Sequence, residues 1–114
     1  MGDIATDSEE QPPYRVILAP TAAAALPTIT AKSHRAKVRK MLRVLDTVPE
    51  IGRVYDPDYP AARPPFEMRV AYAGRYGIYY TVVEADHEVR VLFIEDQRRD
   101  PLNRFYGIYP HEAE

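Results

Sequence analysis

Val38, Met41, Leu42, Leu45 and Val48 recur at i, i+3, i+4, i+7 and i+10, and no other stretch of this chain constrains its fold as strongly. On a helix these positions form one apolar stripe, with Lys37, Arg39, Lys40 and Arg43 on its flanks. The spacing predicts an amphipathic helix from about residue 30 to a stop before Pro49. Such a helix needs a second layer against which to bury its stripe.

The rest of the chain reads as that layer. Residues 14–18 (YRVIL) form a short apolar strand stopped by Pro20. Thr21 caps a short helix over residues 22–26, favoured by its alanines and ended by Pro27. Residues 54–65 read as a loop, because Pro57, Pro60, Pro64 and Pro65 remove backbone donors. The loop is long for a connection, and long ordered loops are often functional. Three strands follow over residues 66–72, 76–84 and 89–96, with turn signals at Ala73-Gly74-Arg75 and Asp86-His87. Short loops force antiparallel neighbours, hence a meander. Residues 97–114 begin polar and then carry Phe105, Tyr106, Ile108 and Tyr109, which suits an arm across the sheet. The expected class is α+β, a short N-terminal strand and two helices followed by an antiparallel meander with the helices on one face. The expected division is an acidic tail over 1–13, one domain over 14–106 and a second tail over 107–114.

A three-residue first hairpin loop sets Tyr72 opposite Tyr76, Val70 opposite Ile78, Met68 opposite Tyr80 and Phe66 opposite Val82. A two-residue second loop adds Val91 opposite Val82 and Phe93 opposite Tyr80 on the same face, where the helix is expected. The other face then presents Glu67, Arg69, Ala71, Gly77, Tyr79, Thr81, Arg90 and Leu92, with Arg69 directly across from Tyr79.

At 114 residues, 46% hydrophobic and 28% charged, the chain is one ordinary globular domain. It has no cysteine, which excludes disulfides, thiolate metal sites and thiol nucleophiles. No apolar run reaches the length of about 18 residues that suggests a membrane span, and the N-terminus is acidic where a secretory leader is basic. A soluble, cytoplasmic protein is expected. The formal charge of −2 conceals an asymmetry: residues 1–13 hold four acids and the last eight hold two, with no Lys or Arg in either. The body between them is therefore mildly basic, which is compatible with phosphate contact without demanding it. Beyond Leu42 every basic residue is arginine, whose planar fork suits phosphate or carboxylate; arginine-rich codon usage explains the same bias. No glycine-rich phosphate loop, nucleophile elbow or paired-carboxylate pattern is present, so kinase, hydrolase and glycosidase readings lose their support.

Three segments together resemble one known family. YRVILAPTAAAAL is similar to the opening strand and helix cap of the RelE/ParE toxin superfamily of type II toxin–antitoxin modules. FEMRVAYAGRYGIYYTVV resembles its central hairpin, and VRVLFIEDQRRDPLNRFY its last strand and Arg-rich, Tyr-ending tail. The resemblance implies a growth-inhibiting toxin neutralised by a cognate antitoxin that wraps its surface. The superfamily holds two activities: a RelE-like branch cleaves mRNA on the ribosome, and a ParE-like branch poisons DNA gyrase without known chemistry of its own.

The RelE-like activity, a metal-independent endoribonuclease (mRNA interferase), is the first expectation. A ribose 2′-hydroxyl attacks its own 3′ phosphate, so the site must take that proton, neutralise the phosphate oxygens and protonate the leaving 5′ oxygen. No metal or other cofactor is expected. By resemblance Arg69 and Arg98 would hold phosphate charge, Tyr106 or Tyr79 would donate the proton, and Glu67 would serve as base. Arg75, Arg99 and Arg104 would contact RNA. The family's pattern breaks at Gly77, where RelE-like enzymes commonly carry a phosphate-contacting arginine. Each assignment has a plainer counterpart. Arg69 reads equally as a solvated strand residue, Tyr79 as packing, and Arg98-Arg99-Asp100 as a surface turn whose ion pair is worth about 0–1 kcal/mol. Tyr106 reads as an anchor for the arm. His34, His87 and His111 have no partner at metal-ligand spacing. The basic helix from Lys32 to Arg43 is usually a solvated face, and in a toxin of this family it would also approach nucleic acid or antitoxin. The alternatives to RNA cleavage are gyrase inhibition and a decayed toxin that only binds its antitoxin.

Overall fold

The computed structural model describes residues 12–56 and 66–98. They form strand β1 (Arg15–Leu18), helix α1 (Pro20–Ala25), a 3-10 turn (Leu26–Thr28) and helix α2 (Lys32–Val44). A 3-10 turn (Pro49–Ile51) leads to β2 (Arg53–Val54), followed by β3 (Arg69–Ala73), β4 (Tyr76–Val83) and β5 (Glu88–Asp96). The strands make one sheet in the order β1-β5-β4-β3-β2, with β1 parallel to β5 and all other pairs antiparallel. The α+β class and the meander agree with the sequence reading. The N-terminal tail, the C-terminal arm and most of the Pro-rich loop lie outside the described residues.

Both helices cover one face of the sheet. Val38 and Leu45 are fully buried, Met41 and Leu42 partly so, against Ala71, Ala73, Ile78, Tyr80, Val89 and Val91. The helix ends at Val44 rather than near residue 48, because Val48 precedes Pro49 and takes a non-helical backbone (φ −129, ψ 71). Val48 thereby leaves the stripe and is 44% exposed. Pro20 opens α1 at its first turn, where its missing N–H costs nothing. Thr21 is not the cap; its hydroxyl donates to the Leu92 carbonyl at 2.7 Å and ties α1 to β5.

The first hairpin corrects the expected register. Its loop is the two residues Gly74 and Arg75, and Ala73 pairs with Tyr76, Tyr72 with Gly77, Ala71 with Ile78, Val70 with Tyr79 and Arg69 with Tyr80. Gly74 sits at φ +63 ahead of a residue without positive φ, which suits the tight turn that needs glycine first. One residue fewer in the loop turns every β3 side chain to the opposite face. Ala71 and Ala73 therefore join the helix-covered core, while Met68 and Val70 lie on the far side. The short β2 was also unforeseen: Arg53 and Val54 pair with Val70 and Arg69 where the segment read as loop begins.

The second hairpin pairs Val83 with Glu88, Val82 with Val89 and Tyr80 with Val91, so its loop holds four residues, not two. It contains a 3-10 turn (Glu84–Asp86) and then His87 in the left-handed region at φ 54. A bulge follows: Tyr80 faces Val91 but Tyr79 faces Phe93, leaving Leu92 as the extra residue. The bulge moves Phe93 to the face away from the helices, where it packs with Met68, Val70 and Tyr79.

Candidate functional site

Among the described residues, three groups of chemistry-bearing side chains involve the candidate residues, distributed by the register just described. The first surrounds the turn after α2. Tyr80 is fully buried and its hydroxyl donates to the Pro49 carbonyl at 2.6 Å while accepting the Gly52 N–H at 2.9 Å. Arg69 Nη1 donates to the Gly52 carbonyl at 2.7 Å. Two side chains on one sheet face thus clasp residues 49–52. Burial pushes the Tyr80 phenol above its ordinary pKa, against smaller opposing effects of the Gly52 hydrogen bond and the Arg69 charge. Gly52 is required by space: a Cβ there would meet the Val70 carbonyl oxygen at 2.7 Å and carbon at 2.9 Å. Glu67 is exposed and lines a shallow cleft of about 230 Å³ with Arg69, Glu50, Thr81, Val82 and Glu84.

The second group occupies the opposite face. Tyr79 is fully buried beside Met68, Val70 and Phe93, with Tyr55 edge-on to its ring at 5.2 Å. Gln97 Nε2 donates to the Tyr79 hydroxyl at 3.2 Å. Gly77 lies beneath this contact, and a Cβ there would sit 2.5 Å from Gln97 Nε2 and 2.9 Å from the Tyr79 ring.

The third group gathers on Asp96. Arg75 Nη2 lies 3.4 Å and Arg98 Nε 3.6 Å from its carboxylate, and the Arg98 N–H donates to Oδ1 at 3.0 Å. That backbone hydrogen bond, aided by the two guanidinium charges, holds the Asp96 carboxyl below its ordinary pKa. Arg75 also lies over the Tyr76 ring, 5.4 Å from its centre.

Among the described residues, the candidate side chains do not converge as one cluster. Arg69 and Tyr79 lie on opposite faces, whereas Arg75 and Arg98 meet on one carboxylate. Arg69 pairs with Tyr80 and Asp96 with Tyr76, so the two arginine groups stand four β4 residues apart. That is about 13 Å along the strand. Arg99, Arg104 and Tyr106 lie outside the described residues. The sequence reading missed Tyr80, Gly52 and Asp96. The Gly74-Arg75 pair was the available signal, since a glycine followed by a second loop residue suits a two-residue hairpin.

No curated protein sequence matches the chain. Among solved structures, the fold is similar to that of an archaeal RelE–RelB complex from Pyrococcus horikoshii OT3, at 21% identity and a TM-score of 0.58, covering 76% of this chain and 98% of that one. It is also similar to a chain of the RelBE2 toxin–antitoxin complex from Mycobacterium tuberculosis, at 19% identity and a TM-score of 0.60, with 76% and 94% covered. The family model described as the ParE toxin of the type II toxin–antitoxin system parDE matches residues 16–101, three quarters of the sequence, and the chain belongs to that family of the RelE/ParE superfamily.

Proposed function

We propose that this toxin, held in check by a cognate antitoxin, arrests growth by binding DNA gyrase rather than by cutting mRNA. One observation carries the choice. Arg69 and Tyr79, one of the arginine–phenol pairs that RNA cleavage would combine, project from opposite faces of the sheet. On the face bearing Gly77 and Tyr79 the phenol is packed by Met68, Val70 and Phe93, while the arginines of that face are engaged elsewhere, Arg53 over the Tyr72 ring and Arg90 with Asp86 and Glu88. A binding inhibitor needs no such convergence.

The antitoxin is supported by the surface and by the neighbours. Ile17, Val54, Phe66 and Tyr72 are large apolar side chains left exposed, and β1 and β2 end the sheet with outer edges that a partner's extended segment would extend. Of the similar structures, one is a RelE–RelB complex and another a toxin–antitoxin complex.

Purified toxin added to gyrase, relaxed plasmid and ATP tests the reading. Loss of supercoiling, relieved by the antitoxin, is expected. Full supercoiling at doses that arrest growth would overturn it, and an absence of growth arrest on induction would leave only an antitoxin-binding protein.

A further inference from the structure

We propose that the outward face of α2 is a binding surface for the phosphate backbone of duplex DNA. The helix carries Lys32, Arg35, Lys37, Arg39, Lys40 and Arg43 and not one acidic residue. From Pro12 to Leu45 the chain has no Asp or Glu at all. Arg35 is engaged with the Ile29 and Thr30 carbonyls, but the other five cations are exposed. Among the described residues none of these five makes an ion pair with an acid. Of the described acids, Asp46 follows the end of the helix and accepts from the Thr47 hydroxyl, Glu50, Glu67 and Glu84 line the cleft beside Arg69, and Asp86, Glu88 and Asp96 are paired to Arg90, Arg15 and Arg75.

Helix physics argues against this charge being a by-product of stability. The N-terminal end of a helix favours acids and a side-chain cap. Here the N-cap is Ala31 with no side-chain hydrogen bond, the first turn holds no acid, and Lys32 opens the helix. The residues at this end thus break a local rule at an energetic cost, as happens where function requires it.

The geometry selects the partner. Lys32, Ala36, Arg39 and Arg43 follow one another at i, i+4, i+7 and i+11 along the outer line of a helix about 20 Å long. This line has no large apolar side chain to seat in a protein groove and no aromatic ring on which an unpaired base would stack. A row of cations on a rigid rod matches the evenly spaced charges of a duplex, whose binding is driven by counterion release. The inference is independent of the target of the toxin and concerns only this surface.

The test is fluorescence anisotropy of the full-length toxin with a labelled DNA duplex of arbitrary sequence across a salt series. Binding that weakens steeply with salt is expected. Arg39→Gln and Arg43→Gln should each lower the log–log salt slope by about 0.9, and together by about 1.8. Arg53→Gln, which removes one exposed charge from β2, should leave the slope unchanged. No binding by the wild type, an equal effect of Arg53→Gln, or displacement by polyglutamate at a lower charge concentration than by unlabelled duplex would each overturn the proposal; the last would assign the surface to an acidic protein.

Discussion

Arg69 faces Tyr80 across the β3–β4 ladder, and both side chains grip the same turn: Arg69 holds the Gly52 carbonyl and Tyr80 the Gly52 N–H. A guanidinium so placed secures the exit from α2. Arg69→Lys, which keeps a donor, should therefore preserve growth arrest, and Tyr79→Phe, on the other face, should preserve it as well. Growth curves after induction, normalised to soluble protein, check both. Abolished arrest with normal folding would return these residues to a chemical role.

Tyr80→Phe should destabilise the protein by about 1–3 kcal/mol, since it strands a buried N–H and a buried carbonyl at once. Urea denaturation measures this as a lower midpoint at unchanged slope. The phenol also sets an alkaline limit. Its folded pKa is raised above the ordinary 10.0, so its contribution is complete below that value and is lost as pH rises through the folded pKa. Tyr80→Phe should flatten that alkaline limb.

Gly52→Ala should cost about 1–3 kcal/mol, an overpacking penalty. The obstacle is the Val70 main chain, which cannot swing aside as a side-chain tip would. An alanine tolerated without a change in thermal midpoint would contradict the packing described for this turn.

At the other end of β5, Glu88 accepts hydrogen bonds from Arg15 and Arg90. The bond from Arg90, with the charges of both arginines, holds its carboxyl below the ordinary 4.5 in spite of desolvation. A lowered folded pKa contributes stability that is present above the unfolded value and lost as pH falls through the folded one. Glu88→Gln should therefore lower stability at neutral pH and shrink the acid-induced loss. An acid limb identical in the variant would show that the carboxylate is not what fails there.

Much of this architecture is legible in the residues. The spacing from Val38 to Leu45 identifies α2 and its buried face, and the β4 alternation of Tyr76, Ile78, Tyr80 and Val82 identifies which side that helix covers. The face of β3 was not, because side chains alternate with a period of two and a loop miscounted by one residue inverts the strand. Arg69 and Tyr79 looked like partners only under the longer loop. The Leu92 bulge leaves no mark in composition, yet it sends Phe93 to the far face. β2 was hidden because two paired residues make no periodicity. Asp96 drew no attention because its role depends on Arg75 arriving from the preceding hairpin.

Mapping mRNA 5′ ends in a ribosome-containing translation mixture dosed with the toxin decides between gyrase inhibition and RNA cleavage. Transcripts as intact as in the untreated mixture are predicted, at doses that abolish supercoiling by gyrase. New ends within codons on translating ribosomes, suppressed by the antitoxin, would contradict the account and reinstate RNA cleavage.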